Sequence, residues 1–239
     1  MQSRNFRMQR VGDINWLEKN YKFKQIATSL DELVVVNATK SEKDINSFAK
    51  IVSRLVDDVF IPVTAGGGIR CIEDVEMLFN SGADKVILNS AVINNQNLVT
   101  EIVERYGSQS IVAAVDYKLV NNDPVIFIED GTKRIDTSLE EYIDILHELN
   151  VGEVYFNSID KDGTGFGYDF ETINRFASKF AMPLIVAGGA GNEKHLLEAL
   201  NIDNVSAVAT ANLFNFVGDG LPKARKHMIE KKANLAKWN

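Results

Sequence analysis

The chain contains the same unusual stretch twice, and that repetition limits the folds open to it. Phe60-Ile-Pro-Val-Thr-Ala-Gly-Gly-Gly-Ile-Arg70 is matched by Ala181-Met-Pro-Leu-Ile-Val-Ala-Gly-Gly-Ala-Gly191, with Pro62 and Pro183 separated by 121 residues. Each copy is an apolar run that ends in a glycine turn, and the first predicts a buried strand over 60–65 followed by a helix starting near Ile72. Glycines at such a turn let the backbone adopt angles closed to other residues and let a ligand approach the main chain. The free N–H groups of a following helix N-terminus favour an anion. Two cradles of this kind predict a ligand carrying a phosphate at each end.

The offset recurs. Glu32-Leu-Val-Val-Val-Asn37 aligns with Glu153-Val-Tyr-Phe-Asn-Ser158 at 121, and Asp84 to Ser90 aligns with Ser206 to Asn212 at 122. A repeat this long marks two half-domains rather than a solenoid. Within each half, strands alternate with helices, the pattern of a parallel sheet. The expected fold is α/β, a (βα)8 TIM barrel with a two-fold half-barrel repeat, as one domain over 1–239 with halves at about 1–108 and 109–239. Ser110 to Asp116 opens the second half as a strand, and its counterpart would fall before Met1. The first strand is therefore expected to be missing, or replaced by an irregular segment near residues 4 to 8, leaving seven clear strands.

The elements can be placed from apolar spacing and turn residues. Helices are expected over 13–21 (Asp13 as N-cap), 43–55, 98–106, 139–149, 193–200 and from about Pro222, with another within 168–179. Strands are expected over 33–36, 85–89, 153–158 and 205–210. Val125 to Ile128 and Thr132 to Ile135 flank Glu129-Asp-Gly131, a hairpin signal that breaks the βα rhythm and places a cap on one end of the barrel.

Composition excludes several classes of function. A net charge of −7 disfavours non-specific binding to nucleic acid or anionic membrane. The single cysteine, Cys71, rules out an internal disulfide and a cysteine-rich zinc site; it reads as a small residue at a helix start, where a thiol pKa could be depressed. No apolar run approaches a membrane span and no leader is recognisable, so the expectation is cytoplasmic. Asp160-Lys-Asp-Gly-Thr-Gly165 lacks the spacing and terminal Glu of a calcium loop. His147, His195 and His227 have no ligand spacing and read as helix-surface residues. No metal and no cofactor are expected.

In a (βα) barrel the chemistry lies where strands end and helices begin. Asp116 ends a strand there and could act as general acid or base; a helix cap or a salt bridge with Lys118 is the plainer alternative. Asn89, Ser90 and Asn212 end strands beside the glycine turns and suit phosphate oxygens, and they are equally ordinary helix caps. Asp162, Gly163 and Thr164 face the same mouth. At the opposite strand ends, Glu32, Lys85 and Glu153 could meet as a charged ring around the axis, or could simply be solvated.

Taken in order, Pro62 to Arg70, Gly82-Ala-Asp-Lys-Val-x-x-Asn-Ser90, Gly107-Ser-Gln-Ser110, Val115-Asp116, Asp160-Lys-Asp-Gly-Thr164, Gly167-Tyr-Asp169 and Ala187-Gly-Gly-Ala-Gly191 resemble the HisF family, the cyclase subunit of imidazole glycerol phosphate synthase. The resemblance runs over roughly residues 5 to 217. It implies a substrate that is a bisphosphorylated ribulosyl-formimino aminoimidazole carboxamide nucleotide. It also implies ammonia from a HisH-type glutaminase docked at the barrel bottom, and imidazole glycerol phosphate plus an aminoimidazole carboxamide ribotide as products. Asp116 matches one of the family's two catalytic aspartates. Gly68, Asn89 and Ser90, with Gly67 beside them, match one phosphate site. Asp162, Gly163, Gly189, Ala211 and Asn212, with Thr164 and Gly188, match the other. Glu32, Lys85 and Glu153 match three of four residues of an ammonia gate.

The departures are specific. The other catalytic aspartate and the fourth gate residue, an Arg, belong to the first strand. Asn37 stands for a strand-end Asp, Asp130 for a common Ser, and Asn212 for the usual Ser. With one carboxylate of the pair lacking, cyclase activity should be lowered about 100-fold or more, the scale of one positioned acid–base group. Two other readings remain: a HisF-like branch that delivers ammonia to a sugar amidotransferase in surface-polysaccharide synthesis, and a catalytically dead phosphate-binding barrel.

Overall fold

The structure is a computed structural model that describes residues 2–9, 14–16, 27–40, 42–211 and 219–236. An N-terminal hairpin pairs β1 (Gln2–Arg4) with β2 (Arg7–Gln9) as a separate two-stranded sheet. Then follow β3 (Leu33–Val36), α1 (Ile45–Val56), β4 (Val63–Gly66), α2 (Ile72–Asn80), β5 (Lys85–Leu88), α3 (Ala91–Asn94) and α4 (Gln96–Tyr106). The second half runs β6 (Ile111–Val120), β7 (Asp123–Ile128), β8 (Lys133–Arg134), α5 (Leu139–Glu148), β9 (Glu153–Ser158), α6 (Phe170–Phe176), β10 (Leu184–Ala187), α7 (Glu193–Leu200), β11 (Val205–Val208) and α8 (Gly220–Glu230).

Seven strands lie in the order β3-β4-β5-β6-β9-β10-β11, all parallel, and the chain order is the spatial order. This is the curled sheet of a (βα)8 barrel. Among the described residues no strand pairs with the outer edge of β3 or of β11. The N-terminal hairpin does not enter that slot. Its turn lies at the mouth instead, where the N–H of Asn5 donates to the Asp162 carbonyl at 2.9 Å and that of Phe6 to Asp162 Oδ2 at 3.3 Å.

The repeat is written into the register. Thr64 stands opposite Lys85 in β4–β5, and Ile185 opposite Ala207 in β10–β11, the same pair displaced by 121 and 122. An irregularity between Leu184 and Ile185 accommodates the slipped residue. Alternation along each strand then sorts the side chains. Val34, Ile87, Val112, Ala114, Tyr155 and Ile185 point inward and pack as one layer inside the barrel. Ile111, Ala113, Val115, Val154 and Phe156 point outward into the main core beneath the helices.

Most element boundaries fall within a few residues of expectation. Only 14–16 of the expected first helix are described, and its cap Asp13 lies outside the described residues. Phe60 is a correction: it is 91 % exposed and precedes the strand, which begins at Val63. Pro62 has no N–H to give the ladder, so it ends the loop and contributes only its carbonyl, accepting from the Leu33 N–H at 2.9 Å. The hairpin is longer than its turn signal suggests. β6 runs on past Asp116 to Val120 and pairs antiparallel with β7, which pairs in turn with β8.

Candidate active site at the mouth of the barrel

Asp116 shares the inward face of β6 with Val112 and Ala114, two and one alternations below it. It tops the apolar layer and is 9 % exposed. Two amides hold it. Asn157, in register on β9, donates from Nδ2 to Asp116 Oδ1 at 2.8 Å, and Asn89 donates to Oδ2 at 3.2 Å. Burial pushes the Asp116 carboxyl up to about 7, the Asn157 hydrogen bond opposes this, and the charges of Asp162 and Asp130 add to the upward push. A carboxyl with a pKa near neutrality exchanges protons readily in either direction. Lys118 does not neutralise it, because its Nζ donates to the Gly131 carbonyl at 3.1 Å.

At the other end of the same layer, Lys85 sits between two carboxylates. Its Nζ lies 3.0 Å from Glu32 Oε1 and 2.7 Å from Glu153 Oε1. Burial works to lower the Lys85 pKa, but the hydrogen bonds to Glu153 and Glu32 overcome it and hold the ammonium above its ordinary value. The structure thus brings the three charged strand starts together in one ion-pair cluster on the barrel axis.

The two glycine turns have matching geometry. Gly67 has φ +93°, and a Cβ there would stand 2.6 Å from the Asn37 carbonyl oxygen. Gly188, 121 residues later, has φ +86°, and its Cβ would collide with the Ser158 carbonyl oxygen, the repeat-mate of Asn37. Each turn is therefore pressed against the end of the neighbouring strand, where only glycine fits. Thr164 folds back on its own loop, its hydroxyl donating to the Lys161 carbonyl at 2.7 Å, and Ala211 is exposed. Asp162 and Gly163 lie in the loop after β9, where Asp162 meets the N-terminal hairpin. Asn212 lies outside the described residues.

Several expectations are revised. The N-terminus of α2 carries an internal acceptor. Asp74 Oδ2 accepts the N–H groups of Arg70 at 2.8 Å and Cys71 at 3.3 Å, so a carboxylate of the chain itself sits at this helix start beside the glycine turn. The Asn89 amide is committed to Asp116 and to the carbonyls of Ala114 (3.1 Å) and Phe127 (3.4 Å), so its side chain positions the carboxyl instead of reaching outward. Asn37 caps its own loop, accepting the Thr39 N–H at 3.2 Å. The Cys71 thiol pKa is raised, chiefly by its hydrogen bond to Glu73, which removes the possibility of a depressed thiol and leaves Cys71 as the small helix-start residue expected. His195 is more than a surface residue: its Nδ1 accepts the Gly191 N–H at 3.2 Å and braces the second turn. His147 Nε2 likewise accepts from Ala181 at 3.2 Å.

Two features escaped the sequence. Asp130, at the turn between β7 and β8, pairs with Lys43 at 2.7 Å across the mouth. Arg225 on α8 grips Asp31, just before β3, with two bonds of 2.9 Å. Both pairs join segments far apart in the chain, and no local spacing announces them. Among the described residues no group of three His, Cys, Asp or Glu side chains is placed to hold a metal, and no helix is long and apolar enough to cross a membrane.

The site's parts coincide with a sequence relationship. The model of the family described as histidine biosynthesis protein matches residues 8–218. The chain is 42% identical over 237 residues to "Putative imidazole glycerol phosphate synthase subunit hisF2" of Parasynechococcus marenigrum, covering 99% of this chain and 88% of that one. It is 36% identical over 208 residues to imidazole glycerol phosphate synthase subunit HisF of Hydrogenobaculum sp., covering 86% and 82%. With the HisF of Dictyoglomus turgidum the identity is 34% over 222 residues, covering 92% and 86%. Parallel barrel, doubled glycine turn and sequence likeness agree: the chain belongs to the histidine biosynthesis protein family, and within it to the HisF family.

Proposed function

We propose that the chain is a cyclase subunit of the imidazole glycerol phosphate synthase type, acting in histidine biosynthesis. The observation that carries this reading is axial. Asp116, with a pKa of about 7, stands at one end of an apolar layer whose other end is the Glu32–Lys85–Glu153 cluster, and two like glycine turns flank the mouth. A small neutral molecule such as ammonia, entering past the Lys85 cluster, would be delivered along that layer to Asp116. A bisphosphorylated nucleotide would span the mouth, one phosphate at Gly67–Gly68 near Ser90, the other at Gly188–Gly189 near Asp162, Gly163, Thr164 and Ala211. Asp116 would move protons as ammonia adds and the imidazole ring closes.

The ammonia source would be a glutaminase docked at the strand-start end. Phe60 supports this: it is 91 % exposed in the loop entering β4, the same end as Lys85. A large aromatic side chain standing free beside a charged rim is the kind of anchor that buries in a partner.

The test supplies these 239 residues with the bisphosphorylated nucleotide, with and without an ammonium salt, and follows both products. Ammonium-dependent formation of both supports the reading. Tight nucleotide binding with no ammonium-dependent product would overturn the cyclase role and leave a phosphate-binding barrel.

A further inference from the structure

The loop after β3 crosses the first glycine turn, and the residue that lies on it is a lysine. A Cβ at Gly68 would stand 2.7 Å from Lys43 Cβ and 3.2 Å from its Cδ, so the stem of Lys43 runs directly over the turn. Its ammonium ends 2.7 Å from Asp130 Oδ1, and the Lys43 side chain is only 18% exposed. Asp130 belongs to the turn of the β7–β8 hairpin, and that turn is also tied to the cradle on its other side: the Glu129 N–H donates to Ser90 Oγ at 3.2 Å. Three loops and the hairpin turn therefore converge on one spot, with Lys43, Gly68, Ser90 and Asp130 around it.

The second half shows the same device without the hairpin. A Cβ at Gly189 would meet the Gly167 carbonyl and stand 2.9 Å from Lys161 Cβ, so a lysine of the preceding βα loop lies beside the second turn as well. Lysines placed at repeat-related glycine turns point to a common task. A compact, rotatable ammonium supplies the charge that a turn of neutral N–H groups lacks when it must hold a phosphate dianion.

We propose that Lys43 is the cation of the Gly67–Gly68 phosphate site, and that Asp130 is an internal stand-in for the phosphate, holding the ammonium over the cradle until a phosphate monoester displaces it. The proposal deepens the cyclase reading, since it rests on the first glycine turn being a phosphate site. The hairpin then senses occupancy. With the site empty, the Lys43–Asp130 pair and the Glu129–Ser90 hydrogen bond hold its turn on the cradle. With phosphate bound, Lys43 turns to the ligand, Ser90 Oγ is shared with it, and the turn is released from both contacts. Asp130 has φ +57°, a conformation that asparagine tolerates, so its charge can be removed without disturbing the turn.

The experiment labels glycine with 15N in the full chain and titrates inorganic phosphate, reading the amide shifts of Gly68 and Gly189 separately. Lys43→Met keeps the stem over the turn and should weaken binding at Gly68 about tenfold or more, the loss of one charge-assisted hydrogen bond, with Gly189 unchanged. Asp130→Asn removes the competitor and should tighten binding at Gly68 about threefold to fivefold. In the double variant that gain should vanish, because there is no ammonium left to release. If the gain persists without Lys43, Asp130 merely repels phosphate, and the stand-in role is overturned. If phosphate shifts Gly68 but neither single variant changes its affinity, this proposal fails while the phosphate reading of the turn stands. If phosphate shifts neither Gly68 nor Gly189 in any form, both readings fall together.

Discussion

Asn157 and Asp116 face each other in register on adjacent parallel strands, with the amide donating to the carboxyl at 2.8 Å. That single bond opposes the burial that lifts the Asp116 pKa from 3.8 to about 7. The folded chain therefore holds a proton at Asp116 through a range in which the unfolded chain has released it. The stability this contributes is complete below the unfolded value of 3.8 and is lost as pH rises through about 7. Asp116→Asn, which keeps the shape without the charge, should flatten this decline. Denaturant unfolding at pH 4 and pH 8 should show the variant gaining relative to the parent at the higher pH by a few kcal/mol, with ~4 kcal/mol as the ceiling for a shift of about three units. An equal difference between variant and parent at both pH values would contradict the assigned environment.

Arg225 and Asp31 tie α8 to the entry of β3. Arg225 is 7% exposed and also donates to the Ala236 carbonyl at 2.6 Å, so α8, the C-terminal segment and the entry to β3 meet on one guanidinium. Arg225→Met should lower stability by about 1–3 kcal/mol, the scale for leaving the carbonyls of Ser29 and Ala236 without their donor. Because the far partner is 48% exposed, the loss should come more from the unpaired backbone carbonyls than from Asp31. Thermal unfolding should show it as a drop of roughly 2–4 °C for each kcal/mol in a domain of this size. An unchanged melting temperature would mean that α8 is held by its apolar face alone.

Gly67→Ala and Gly188→Ala should each destabilise by ~1–3 kcal/mol, because both positions have positive φ and each new methyl would meet a neighbouring backbone carbonyl. The similarity of the two losses is the telling outcome, since it follows from the repeat. Differential scanning calorimetry of the two variants checks it, and one tolerated alanine would show that the two turns are not equivalent.

At the strand-start end, Lys85→Met should leave turnover with ammonium salts nearly intact and lower glutamine-supported turnover with the glutaminase. Phe60→Glu should weaken that partner's binding with no effect on ammonium-supported turnover. Titration calorimetry against the glutaminase separates the two variants: docking persists in the first and fails in the second.

Strand order and parallel pairing were readable, because the 121-residue offset fixes which segments are equivalent; Asp116 was read as a strand end, but β6 runs on past it to Val120 to form the hairpin. Strand ends were less so. Phe60 looked like the start of a strand because apolar character alone does not reveal whether a residue is buried, and the missing N–H of Pro62 was the better guide. The Lys43–Asp130 and Arg225–Asp31 pairs were invisible because they depend on loops meeting in space. Asn89 was assigned outward by its type, whereas the period of two along β5 and its neighbours turns it toward Asp116.

On the cyclase reading proposed above, Asp116 moves protons for an ammonia-dependent ring closure at a pKa near neutrality. The direct measurement is the rate of nucleotide consumption by these 239 residues with saturating ammonia, between pH 5.5 and 9, for the parent and for Asp116→Asn. The predicted result is a parent profile with an inflection near pH 7, and a variant that binds the nucleotide as well but turns it over at least ~100-fold more slowly, without that inflection. A variant that matches the parent rate across the range would show that another group carries the proton.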